Sequence, residues 1–264
     1  MQRLEKVTIG ADPELFIINT KTGEVVSSIG LIPGFKGDPW TGGGLTEGFG
    51  LEIDNILAEF NIPPVTTEHD FVHNIEFMKN FIDAFVKEKD PDLGILCKAS
   101  MHVGWDQLQS PEAREFGCSP DYNAYTLEEN EKPQGETTNT RSSGMHIHWG
   151  YNDPDIETGV KIIKYSDMYL GIPSVIIDPD IERRSLYGKA GAFRFTDYGC
   201  EYRVLSSAMM ADESKLRFIW KQIQKVINAV NNNETLIDEN IVQECINNSD
   251  INLAERLIND FKLM

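Results

Sequence analysis

The chain has 264 residues, 41% hydrophobic and 25% charged, the proportions of a soluble globular protein long enough to bury a substantial core. Its 24 lysines and arginines face 42 aspartates and glutamates, a net charge of −18, which excludes a general basic footprint for nucleic acid or an acidic membrane. No apolar run approaches the roughly 20 residues of a membrane span, and Met1-Gln2-Arg3-Leu4-Glu5-Lys6 lacks the apolar core of a signal peptide, so the expected location is the cytoplasm.

In chain order, Val7 to Asn19 reads as a strand with a buried Leu15-Phe16-Ile17-Ile18 end, irregular at Gly10 and Pro13. Thr20 to Gly23 is a turn, and Glu24 to Ile29 returns as a hairpin partner. Pro33 to Gly50 holds seven glycines and two prolines and reads as a loop that covers or lines something. Leu51 to Asn61 is extended and stops at Pro63-Pro64. Thr67 to Lys89 is an amphipathic helix, with Phe71, Ile75, Met78, Ile82, Phe85 and Val86 at three- or four-residue spacing.

Leu93 to His102 suggests a strand, Pro111 to Arg141 a long polar excursion, and Arg141 to Tyr151 a strand carrying two histidines. Val160 to Leu170 suits a helix, Ser174 to Ile177 a short strand or helix end, Gly188 to Gly191 a turn, and Ala192 to Ser206 one or two strands. Glu213 to Asn231 is a second amphipathic helix, and a weaker one closes the chain near Ile251 to Phe261. Strands separated by long connections, with few helices, predict an α+β fold: a mainly antiparallel, curved sheet with helices on one face. The expected organisation is a single domain over 1–264, with its motifs in about 8–206 and packing helices in 207–264. No GxGxxG or GxxxxGK[ST] is present, so Rossmann and P-loop readings have no support. Cys97, Cys118, Cys200 and Cys245 are scattered without a CxxC pair and read as reduced structural thiols.

The chemistry concentrates in four short segments. In Ser143-Gly144-Met145-His146-Ile147-His148 the two imidazoles share one strand face, roughly 6–7 Å apart. Asp12 and Glu14 flank Pro13 in the same alternating manner and suit Mg²⁺ or Mn²⁺, which take carboxylate and phosphate oxygens. Glu59 precedes Asn61 and Pro63-Pro64; in a regular strand Asn55 and Leu57 share its face, while Glu52 and Asp54 point away. Glu201 and Arg203 flank Tyr202, a pair that reads either as an ion pair or as a metal ligand beside a phosphate contact. Arg183, Arg184, Lys189, Arg194 and Arg203 fall within 183–203, a local reversal of sign suited to an anionic substrate.

Together these segments resemble the carboxylate–amine ligases of the glutamine synthetase and glutamate–cysteine ligase superfamily. The resemblance rests on Gly10-Ala11-Asp12-Pro13-Glu14-Leu15-Phe16, Glu59-Phe60-Asn61-Ile62-Pro63-Pro64, the His146-Ile147-His148 strand and Glu201-Tyr202-Arg203. Asp12 stands where a Glu is more usual. More narrowly, the chain is similar to the phage phiEco32-like COOH–NH2 ligase group, whose pattern Gly30 to Pro39, Gly117 to Tyr125 and Arg183 to Arg194 also fit.

What the resemblance implies is a glutamine synthetase-like catalytic sheet and ATP-dependent amide formation through an acyl phosphate, with ATP and Mg²⁺ or Mn²⁺ as cofactors. Glu14 and Glu59 would hold one ion, with Glu52, Asp54 or Asn55 open as the completing group. Asp12, His146 and Glu201 would hold the other. His148, Arg203 and Arg194 would contact ATP, Arg194 and Arg203 serving the transferring phosphoryl. Arg183, Arg184 and Tyr187 would bind the substrate, and Gly42 to Gly50 would close over the site. The implied partners are a small carboxylate, glutamate or another amino acid, and an amine, with a homo-oligomer left open. Two other readings keep part of this picture: transfer to a guanidino or amino group, and a non-enzymatic nucleotide-binding or virion role.

Overall fold

A computed structural model describes residues 3–114, 121–131, 133 and 138–264. Cys118 and the first part of Gly117 to Tyr125, residues 117–120, lie outside the described residues. The architecture is α+β: a nine-stranded antiparallel sheet and eight α-helices among the described residues.

The frame is β1, Thr8–Asn19. Its first half is hydrogen-bonded on one side to β4, Leu57–Val65, and on the other to β9, Met145–Gly150. Its last residues change partners, to β2, Val25–Val26, and β5, Leu93–Leu96. β3, Gly50–Asp54, flanks β4. Beyond β9 lie β11, Gly199–Tyr202, then β10, Ala192–Thr196, and β7, Tyr122–Asn123. A separate pair joins β6, Ser100–His102, to β8, Thr140–Ser142.

Strand alternation assigns the two faces. Ile9, Ala11, Leu15, Ala58, Phe60, Ile62, Met145, Ile147, Trp149, Cys200 and Tyr202 are buried in one core with the helices. Burial of the isoleucine, leucine, phenylalanine and methionine side chains among them contributes about 1.5–3 kcal/mol each. The intervening residues of the same strands, Asp12, Glu14, Glu59, His146, His148 and Glu201, therefore share the opposite face.

α1, Glu68–Lys89, starts where Thr67 accepts a hydrogen bond from the Asp70 N–H at 3.1 Å, and it buries the predicted Phe71, Ile75, Met78, Ile82 and Val86. α3, Ile156–Ser166, continues through a π-helical turn, Asp167–Gly171, into α4, Ile172–Ile177. α6, Glu213–Asn232, is capped by Asp212 and ends at Asn233 in the left-handed region. The short α2, Pro111–Arg114, and α5, Ile181–Leu186, sit in the connections; α7, Glu239–Asn247, and α8, Ile251–Phe261, pack on α4. No helix among the described residues is long and apolar enough to cross a membrane.

Three expectations are corrected. Leu51 to Asn61 is not one strand: Asn55 adopts φ 61°, and the chain folds back so that Asp54 pairs with Leu57 and Glu52 with Glu59. Glu52 therefore shares the face of Glu59 rather than pointing away. Pro63-Pro64 does not end the strand either. The register shifts between the Ile9–Val65 and Ala11–Ile62 pairs, three residues against two, and this bulge absorbs the prolines that cannot donate to the ladder. Finally, Gly42 to Gly50 is held against α1 and β4: Trp40, just before it, has its ring 6.3 Å from Phe81 and 5.9 Å from Phe85, Phe49 meets Phe77 edge-on at 5.4 Å, and Asn61 donates to the Gly48 carbonyl at 2.9 Å.

Candidate active site

Lateral strand pairing sets side chains from distant segments in rows. Glu14 stands opposite Glu59, which stands opposite Glu52. Asp12 stands opposite His146, Gly10 opposite His148, and His148 opposite Glu201, which faces Arg194. A face of hydrogen-bonded antiparallel strands fixes such groups without a loop to position them.

Two clusters result. Ligand atoms of Glu14, Asp54 and Glu59 all lie within 4.8 Å of one another, and so do those of Asp12, His146 and Glu201. Of the three groups left open as completing the first cluster, Asp54 reaches it. Glu52 lies beside it, its carboxylate accepting from the Gly37 N–H at 2.9 Å. Asn55 instead receives the Arg141 Nε–H at 3.3 Å and its neighbour Ile56 N–H at 2.8 Å.

The first cluster is rich in negative charge. Burial pushes the Glu59 carboxyl well above its ordinary value, and Asp12, Asp54, Glu14 and Glu52 push it the same way. Burial also raises Glu14 and Asp54 adds to it, against His146, the Gly144 N–H donating at 2.6 Å, and Arg203. In the second cluster burial opposes ionisation of Asp12, yet the neighbouring His148 and His146 hold its carboxyl far below the usual range. Burial lowers His148, but Asp12 and Glu201 outweigh it and raise the ring. His148 Nε2 and His146 Nδ1 stand 3.0 and 3.2 Å from Asp12 Oδ1. The His148 Nδ1 side meets the Tyr198 hydroxyl at 2.5 Å.

Glu201 is almost fully buried, with Arg194 Nη1 donating to Oε2 at 3.0 Å and Arg203 Nη1 to Oε1. Arg203 also lies 3.3 Å from His146 Nδ1 and 3.6 Å from Asp121. Behind the sheet, the buried Asp167 accepts from the hydroxyls of Tyr202 at 2.8 Å and Tyr125 at 2.9 Å and from the Gly191 N–H at 2.6 Å. This ties β11 and the turn before β10 to the helix layer.

The three residues expected to bind substrate separate. Tyr187 lines a hollow with Glu14, Asp54, Arg141, Gly144 and His146. Arg183 lines it too, but donates to the carbonyls of Ser143, Val204 and Leu205 at 3.1, 2.8 and 2.8 Å, bracing the backbone around Gly144. Gly188 makes room for it: a Cβ there would fall 1.8 Å from Arg183 Nη1. Arg184 is absent from the hollow. It is buried against Ser174 and the Asp178 carbonyl, 3.2 and 3.3 Å away, so its position does not fit a substrate clamp.

Arg141 and Asp121 join this hollow without having been singled out from the sequence. In the sequence Arg141 is a strand end, and nothing in its local pattern distinguishes it. A second, more open hollow of about 420 Å³ lies at the other end of the same face, lined by Asp12, His148, Tyr198, Asn61, Ile62 and Pro64. The two clusters stand between a mostly apolar cleft and an arginine-lined one.

The donor sets suit hard divalent ions. The first is all carboxylate, and the second combines two carboxylates with an imidazole, within the range of Mg²⁺ and Mn²⁺. Neither Asp12 Oδ1 nor His148 Nε2 makes a hydrogen bond of normal geometry, so a buried acceptor faces a buried ring nitrogen with coordination capacity left over.

Residues 135–246 match the family described as phage phiEco32-like COOH.NH2 ligase-type 2. The match takes in β8, β9, α3 to α7 and the Glu201-Tyr202-Arg203 segment, and the resemblance drawn from the motifs is borne out over that span. No curated protein matches the chain.

Proposed function

We propose that the protein joins a carboxylate to an amine at the expense of ATP, with Mg²⁺ or Mn²⁺ held by Glu14, Asp54 and Glu59 and by Asp12, His146 and Glu201. The observation that carries this reading is the convergence of both clusters on one sheet face, between an apolar and an arginine-lined hollow, in a chain matched to a COOH–NH2 ligase family. The glutamine synthetase-like character of the sheet is part of the same proposal.

A carboxylate is a poor acylating agent because its leaving group is an oxide. In the proposed reaction a carboxylate oxygen attacks the γ-phosphorus of ATP, the bond to the β-bridging oxygen breaks, and ADP leaves with that electron pair. The amine nitrogen then attacks the acyl carbon, phosphate departs with the former carboxylate oxygen, and the nitrogen loses a proton. Divalent ions would supply charge neutralisation across the phosphates.

The protein groups do the rest. The open hollow beside His148 and Tyr198 accommodates the base and sugar, with His148 and Arg203 oriented toward the phosphates. Arg194 and Arg203, braced on Glu201, stabilise charge on the transferring group. The hollow lined by Tyr187 and Arg141 receives the carboxylate substrate, its backbone walls held by Arg183.

The test is ADP release with Mg²⁺ over a panel of amino acids and amines. ADP should form only when both a carboxylate and an amine are present, and His146→Ala and Glu59→Gln should abolish it. Equal release by wild type and both variants refutes the assignment.

A further inference from the structure

The loop that approaches the acidic cluster is not the glycine-rich stretch that packs on α1 but the turn before it. Phe35 and Asp38 exchange backbone hydrogen bonds at 3.2 and 2.8 Å, and the turn between them reaches over β3. Lys36 Nζ there sits 2.8 Å from Asp54 Oδ1, and Gly37 N–H donates to Glu52 at 2.9 Å. The turn is seated closely: Gly34 has φ +86°, and a Cβ there would fall 2.2 Å from the Leu51 carbonyl oxygen. Phe35 at its tip is 71% exposed.

Asp54 is therefore shared between two roles. Its side chain is 9% exposed and belongs to the Glu14–Asp54–Glu59 cluster, while the Lys36 side chain is 44% exposed and reaches it from solvent. Carboxylates face this point from three strands: Glu52 and Asp54 on β3, Glu59 on β4, and Asp12 and Glu14 on β1. An ammonium held from the solvent side by a flexible, half-exposed side chain is a weak competitor that a divalent ion can displace.

We propose that Lys36 is a displaceable cation that competes with the divalent ion for Asp54, so that the Phe35–Asp38 turn sets ion affinity and lifts when the ion binds. This rests on the reading of Glu14, Asp54 and Glu59 as an ion site. It adds an affinity-determining residue, and it assigns the moving part to residues 34–38. The lifted turn exposes Glu52 and opens the side of the cluster away from β9.

The test is Mn²⁺ titration, followed by the paramagnetic signal of free ion, for wild type, Lys36→Met, Lys36→Arg and Glu59→Gln, with amide hydrogen exchange over 34–40. Lys36→Met should bind Mn²⁺ about two- to fivefold more tightly, since the ion no longer displaces a contact worth up to about 1 kcal/mol. Lys36→Arg should stay near wild type. Exchange over 34–40 should quicken on adding Mn²⁺ to wild type and should already be fast in Lys36→Met. Ion uptake that is lost in Glu59→Gln but unchanged or weakened in Lys36→Met, with exchange insensitive to Mn²⁺, overturns the role of Lys36 and leaves the ion site standing. Absence of uptake by wild type and Lys36→Met alike overturns both.

Discussion

Glu14 on β1 and Glu59 on β4 stand directly opposite one another on the same face of the sheet, and Asp54 brings a third carboxyl group within 4.8 Å of both. Like charges paired across strands destabilise a sheet by up to about 1 kcal/mol. The arrangement is therefore a liability for the fold unless a cation joins it.

Without added ions, this liability has a pH signature. Burial, reinforced by Asp12, Asp54, Glu14 and Glu52, raises Glu59 well above its ordinary 4.5. The folded protein then holds that proton more tightly than the unfolded chain. Its stabilising contribution is fully present below 4.5 and is lost as pH rises through the folded value. Asp12 runs the other way, its lowered value giving stability above 3.8 that is lost in more acid solution, outside this window. Thermal stability in chelator should fall as pH climbs from 4.5, less steeply in Glu59→Gln. Glu59→Gln should also raise the neutral-pH Tm by about 2–4 °C, the equivalent of roughly 1 kcal/mol. An identical slope in the variant, measured by calorimetry, contradicts this.

Glu201 is the opposite case, a buried carboxylate between Arg194 and Arg203. Neutralising one partner of a buried pair leaves an uncompensated charge, at a cost of about 3–5 kcal/mol. Glu201→Gln should lower stability by that order in urea titrations. Adding Arg203→Met should recover part of the loss, because the stranded guanidinium goes with it. A double variant less stable than the single one would show that Arg203 is held by other contacts.

Asn55 governs the hairpin that presents Asp54 and Glu59. Its left-handed backbone costs most side chains about 1–2 kcal/mol, and its carboxamide oxygen receives the Ile56 N–H at 2.8 Å. Asn55→Ala should destabilise by about 1–2 kcal/mol and weaken Mn²⁺ binding. Asn55→Gly should restore most of the stability, since glycine takes positive φ without a Cβ clash. Equal losses in the two variants would place the effect in the side-chain hydrogen bonds alone.

The same hairpin marks where the sequence stopped being informative. The strands bearing Asp12, Glu14, His146, His148 and Glu201 were legible because alternation of apolar and polar residues reports both strand and face. From Leu51 to Asn61 that alternation breaks only briefly, at Asp54-Asn55 and Ile56-Leu57-Ala58, and the break lacks the glycine that usually flags a two-residue turn. Read as one regular strand, the segment places Glu52 on the wrong face. Arg184 and Arg141 show a second limit. Composition places arginines near an anion site, but only packing shows that Arg184 turns toward Ser174 and Asp178 while Arg141 lines the hollow. Lys36 is a third case, since a contact between a loop and a distant strand has no local pattern to read.

An anomalous-difference map from crystals grown with Mn²⁺ and a non-hydrolysable ATP analogue tests the central claim most directly. Two peaks are expected, one among Glu14, Asp54 and Glu59 and one among Asp12, His146 and Glu201, with the phosphates between them. A map with no peak at either cluster, or with ions bound elsewhere on this acidic surface, would contradict the account.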